Sequence, residues 1–110
     1  MVFFVLRSAS IWFLLLVPSA TGQDGFATGR ELISACEADA SYCLGYVNGA
    51  VDEAYSKISP SFCLPEDVRL SSLPAMVIEY AQNNPKQMDL VAAQIVIAAM
   101  EGRFPCAEGR

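Results

Sequence analysis

Few residues in this chain could do chemistry. There is no histidine, so the commonest general base is absent. Two adjacent carboxylate pairs, Asp52-Glu53 and Glu66-Asp67, are the acid/base candidates. Neighbours on a helix point about 100° apart, which makes Asp52 and Glu53 a poor catalytic pair and a good solvated face. Glu66-Asp67 lies just upstream of a predicted helix and fits stabilisation of its N-terminal dipole. Met76, Met88 and Met100 recur at one spacing and could offer thioethers to copper. Methionine at helical spacing is the usual filler of irregular core space, and that reading is preferred. No glycine-rich loop follows a strand pattern. The residues therefore describe a protein that binds rather than catalyses, with no metal and no cofactor.

The cysteines carry the firmest chemistry. Cys36, Cys43, Cys63 and Cys106 form no C-x-x-C pair, and without histidine the usual zinc spacings are missing. An even count in a short exported chain reads as two disulfides. Export is read from the first residues. Arg7 supplies a positive charge, Ile11 to Val17 is an unbroken apolar run, and Pro18 ends it. Ala20 and Gly22 then give small residues before Gln23, which is signal-peptide order. A membrane anchor is the competing reading, but a spanning helix needs roughly 20 apolar residues. Cleavage is expected after Gly22, with Ala20 as the second choice. Residues 1–22 are thus read as a signal peptide and 23–110 as one mature domain. No cysteine sits at the cleavage point to carry a lipid.

Arg7 leaves with the leader, so the seven basic residues fall to six against twelve acidic ones, a formal −6. Such a chain does not neutralise phosphates, which excludes ordinary nucleic-acid binding, and it has no polybasic patch for anionic lipid. A basic protein partner would be favoured by steering. A domain this small gains only marginal stability from its core alone, which gives the disulfides a structural purpose.

The elements that must position these residues are helical. Thr28 and Glu31 form a capping box for a first helix from Gly29 to about Glu37. Asp39 caps a second, Ala40 to Ser56, whose apolar positions Cys43, Leu44, Val47, Ala50, Val51, Ala54 and Tyr55 are spaced by three and four. Gly45 and Gly49 each cost about 1 kcal/mol inside a helix, so a neighbouring helix is expected to approach there. Ser59 to Asp67 reads as a loop tied down through Cys63. Ser71 or Ser72 caps a third helix that ends at Asn83-Asn84-Pro85, since the residue before proline avoids helical geometry. A fourth is expected from Pro85 or Lys86 to about Gly102. From Leu90 to Met100 only Gln94 is polar. A helix apolar nearly all round is buried nearly all round, and a homodimer interface along it would cover what a small bundle cannot. The fold class is all-α, a small bundle of about four helices stapled by two disulfides.

In such a bundle the first helix ends where the second begins, which brings Cys36 to Cys43. The second and fourth run the same way, which brings the loop with Cys63 near the tail with Cys106. Cys36–Cys43 with Cys63–Cys106 is therefore favoured. Cys43–Cys63 with Cys36–Cys106 is the alternative, and it needs the segment after Ser56 to run back along the second helix almost fully extended.

Cys43-Leu44-Gly45-Tyr46-Val47 with Gly49, then Phe62-Cys63-Leu64-Pro65, Tyr80 before Asn84-Pro85, an Ala/Ile/Val-rich last helix and a terminal Phe104-Pro105-Cys106 occur in this order. The pattern resembles the Rap/Tai-type immunity proteins of bacterial type VI secretion. It covers about Leu32 to Cys106. Tyr42 stands where the family usually has Phe. The resemblance implies a periplasmic, all-helical, often dimeric protein that blocks a peptidoglycan-cleaving amidase effector. A fold can outlive its function, so a non-catalytic envelope structural or chaperone-like module is the alternative. An inhibitor of a cleft enzyme needs a rigid, polar projection held at both ends. The turn between the third and fourth helices fits, with Gln82, Asn83, Asn84, Gln87 and Asp89 as partner-binding candidates and Pro85 limiting its freedom. The Lys57 to Ser61 loop is the rival contact surface.

Overall fold

The Thr28–Glu31 box opens α1, Gly29–Ala38. Glu31 N donates to Thr28 Oγ1 at 3.2 Å and Thr28 N donates to Glu31 Oε1 at 2.9 Å. Two amides with no intrahelical acceptor are thereby satisfied. Asp39 alone separates α1 from α2, Ala40–Tyr55. Its Oδ1 accepts from Ser41 N at 3.0 Å and Tyr42 N at 3.1 Å, as an N-cap should. The computed structural model describes residues 26–107, so the signal peptide expected over residues 1–22 lies outside them. Beyond α2 come a 3₁₀ turn at Leu70–Ser72, α3 over Leu73–Asn83, a second 3₁₀ turn at Pro85–Gln87 and α4 over Ala92–Arg103. Among the described residues β pairing is limited to one antiparallel bridge, Thr28 to Val91. The fold is the all-α bundle of four helices with two disulfides.

The bridges are Cys36–Cys43 and Cys63–Cys106. The first closes the corner between α1 and α2, and its sulfur at Cys43 is buried. The second ties the α2–α3 loop to the tail, where Cys63 N also donates to Phe104 O at 2.8 Å. The chain-entropy model assigns about 2.5 kcal/mol to the short loop and about 4 kcal/mol to the long one. The alternative pairing is excluded.

The core gathers Leu32 of α1, Val47 of α2, Leu73 and Val77 of α3, and Ile95, Val96 and Met100 of α4, all essentially without exposure. Met100 inside this core, with Met76 and Met88 packed against it, is the filler reading of the methionines. Phe62 joins the core from a loop. It is fully buried and stacks on Tyr55 with ring centroids 5.4 Å apart. That burial contributes about 1.5–3 kcal/mol and explains why the loop is ordered around its cysteine.

Two expectations fail. The fourth helix does not begin at Pro85 or Lys86. It begins at Ala92, after the 3₁₀ turn and an extended Val91. The physical reason lies in α1. Its first amides need acceptors, and residues outside the helix supply them: Gly29 N donates to Leu90 O and Arg30 N to Met88 O, both at 2.9 Å. Ala92 N in turn donates to Ala27 O at 2.7 Å. Carbonyls aimed at α1 cannot also face along a helix axis, so residues 88–91 stay out of α4.

The second failure concerns Gly45 and Gly49. Both are exposed, and a Cβ built on either meets nothing within 4 Å. No helix packs against either glycine. The close approach is at Gly29, where a Cβ would lie 2.9 Å from Ile95 Cγ1 and 3.2 Å from Met88 O. The N-terminus of α1 rests directly on α4 and on the segment before it.

α4 touches α1, α2 and α3, so its own domain wraps most of it. Ala92, Ile95, Val96, Ala99 and Met100 are buried and Gln94 is exposed. Ala93, Ile97 and Ala98 are half-buried and form the remaining apolar strip.

Candidate functional site

The turn between α3 and α4 is built from two helix ends and one proline. Asn84 ends α3 in a non-helical conformation, as its place before Pro85 requires. Asn84 Nδ2 donates back to Tyr80 O at 2.8 Å, and Gln87 N donates to Asn84 O at 2.9 Å. Tyr80 Oη donates to Gln87 Oε1 at 2.7 Å. Asp89 at the far end meets Arg30 of α1, Oδ1 to Nη2, at 3.1 Å. The pair is largely exposed, so it orients the turn more than it stabilises the fold.

These bonds divide the five candidates. Asn84 and Gln87 are half-buried and spend their amides inside the turn. Gln82, Asn83 and Asp89 are exposed, and Gln82 and Asn83 have no side-chain partner among the described residues. The structure therefore brings the five together on one turn: Asn84 and Gln87 are internal pins, Asp89 is tied to Arg30, and Gln82 and Asn83 are free outward groups. Lys86, also exposed, stands among them as the cation of the turn.

Beside the turn, α3 and α4 enclose an open cleft of about 260 Å³. Met76, Glu79, Tyr80 and Asn83 line one side, and Ala99 and Arg103 the other. Arg103 Nη1 stands 4.0 Å from Glu79 Oε1 across it. Glu79 and Arg103 were not singled out in the sequence. Tyr80 entered the sequence analysis as the aromatic that precedes Asn84-Pro85, with no hint of its bond to Gln87. The Arg30–Asp89 pair joins residues 59 apart and leaves no local signature.

A second surface is the open groove between α2 and α4. Gly45, Tyr46, Gly49, Ala50, Ala93 and Ile97 line it. The Tyr46 phenol is held above its ordinary value of 10.0 by burial first and by the neighbouring Tyr42 phenol second. The rival Lys57 to Ser61 loop is exposed apart from Pro60, and Ile58 is wholly in solvent.

Among the described residues no cluster of His, Cys, Asp and Glu could hold a metal ion, and no helix is long and apolar enough to cross a membrane. Nor does any buried polar or charged residue occur among them. The arrangement offers hydrogen-bonding and apolar contact surfaces.

Neither the curated proteins nor the solved structures contain a match to this chain. A family model described as Rap1a immunity proteins matches residues 28–106, from the capping Thr28 to the last bridged cysteine. That span holds all four helices and both disulfides. By that match the chain belongs to the Rap1a immunity protein family.

Proposed function

We propose that this chain is exported to the periplasm, loses residues 1–22 and acts there as a non-catalytic inhibitor of a peptidoglycan-cleaving amidase effector, with the mature domain at 23–110. The observation that carries the reading is the family match over residues 28–106. Immunity is a binding function, and it needs a surface that inserts into or caps the effector's cleft. The α3–α4 turn is the surface assigned to that task. Its backbone is pinned by Asn84, Gln87 and Asp89, so little ordering entropy is lost on binding. Gln82 and Asn83 can donate and accept without the desolvation cost of full charge.

A homodimer through the last helix belongs to the same proposal. Ala93 and Ile97 of α4 lie beside the exposed Gly45 and Gly49 of α2, and small residues let a second copy come close. The envelope chaperone-like reading draws on Ile58, which is fully exposed, and on Leu70 and Leu90, both about half exposed.

The experiment is capture from periplasmic extract on immobilised mature protein, read by mass spectrometry. A single peptidoglycan amidase recovered in stoichiometric amount supports the reading. A heterogeneous set of unfolded clients supports the chaperone-like module instead.

A further inference from the structure

Between α2 and the loop leading to α3 lies a pocket of about 530 Å³ that the family match does not explain. Asn48, Val51, Asp52 and Tyr55 line it from α2, and Leu64 and Leu70 from the loop and the 3₁₀ turn. Its walls are set by internal bonds. Tyr55 stacks on the buried Phe62 and its Oη accepts from Leu64 N at 3.0 Å.

Two features of this pocket ask for a donor. Asn48 Oδ1 is shut off from solvent and has no hydrogen-bond partner among the described residues. An acceptor in that state is rare and calls for an explanation. Asp52, one helical turn further on, has no ion-pair partner among the described residues. Its neighbour Glu53 does, in Lys57 at 3.0 Å. The lining contains a carboxylate and no Lys or Arg, in a chain whose balance is acidic throughout. The rest of the lining is apolar and partly open, with Leu70 52% and Tyr55 38% exposed.

A carboxylate one helical turn from an unpartnered amide oxygen, in a lining of leucine and tyrosine, matches one side-chain type. Arginine lays an aliphatic stem along apolar surface and presents a planar fork of donors at its end. One fork can meet the exposed Asp52 carboxylate and, once the Asn48 side chain turns its covered Oδ1 into the pocket, that acceptor too; charge-assisted bonds of this kind are the strong ones. We propose that this pocket receives an arginine side chain presented by a protein partner. The site is separate from the α3–α4 turn and shares no lining residue with it.

The test is a titration of the disulfide-bonded mature protein with N-acetyl-arginine amide, followed by NMR. The expected result is saturable shifts of the Asn48 side-chain amide and of the Val51, Leu64 and Leu70 methyls. N-acetyl-citrulline amide, the neutral isostere, should bind at least tenfold more weakly, as should Asp52→Asn toward the arginine probe. Asp52 is exposed, so that variant should keep its melting temperature, and a scan confirms it. Absence of saturation, or equal binding of the citrulline probe, overturns the proposal. Free arginine is the third arm. If it binds tenfold more tightly than the blocked residue, the pocket serves a small molecule and the protein-partner assignment is wrong. No effector enters this experiment, so its failure leaves the immunity reading standing, and failure of that reading leaves the titration intact.

Discussion

Asn83 and Asn84 are neighbours of the same type, and the structure gives them opposite work. Asn84 Nδ2 bonds Tyr80 O and the residue is half-buried. Asn83 faces solvent without a side-chain partner among the described residues. Truncating Asn84 removes an internal hydrogen bond, so Asn84→Ala should cost about 0.5–1.5 kcal/mol. Asn83→Ala should stay within about 0.5 kcal/mol. Thermal unfolding of the two variants beside the parent checks this, and equal losses would show that the turn is not pinned as described. The same contrast decides which variants probe binding cleanly. Gln87, held by Tyr80 at 2.7 Å, groups with Asn84. Gln82 groups with Asn83.

At the scale of elements, the glycines separate local propensity from packing. Gly49 sits exposed inside α2 with open space where a Cβ would go. Gly49→Ala should therefore stabilise the fold by up to about 1 kcal/mol, the difference in helix propensity. For a domain of this size that raises Tm by roughly 4–8 °C. Gly29→Ala should do the opposite. Ile95 Cγ1 and the Met88 carbonyl already occupy its neighbourhood, and overpacking of this kind costs about 1–3 kcal/mol. The signs of the two melting shifts are the measurement, and shifts of the same sign would contradict the packing. Much of this level was legible in the residues. The capping box, the Asp39 cap, the α2 periodicity and Asn-Pro are local chemistry, and local chemistry repeats in the structure. The start of α4 was not legible. Apolar periodicity runs back through Leu90, but the carbonyls of Met88 and Leu90 are claimed by α1, a contact between distant parts of the chain. The close approach expected at Gly45 and Gly49 failed for a related reason. The spacing permits a close approach, and only the arrangement of the other helices decides whether one occurs.

The molecule as a whole is a bundle in which two cross-links take over part of the work of a small core. Helix order favoured both pairings and left Cys43–Cys63 with Cys36–Cys106 as an alternative, which the placed cysteines exclude. The candidate turn was legible as a rigid projection, while its internal division into pins and free groups required Tyr80, Gln87 and Arg30 to be placed in space. In the proposed function, the free part of this turn binds and blocks a peptidoglycan amidase. Inhibition is the direct readout. Mature protein is titrated into the captured amidase while peptidoglycan cleavage is followed, for the parent and for Gln82→Ala/Asn83→Ala. The parent should inhibit stoichiometrically and the variant should lose more than about 2 kcal/mol, the level of an interface hot spot, with Tm unchanged. Undiminished inhibition by a variant that melts like the parent would contradict this and move the contact to the Lys57 to Ser61 loop.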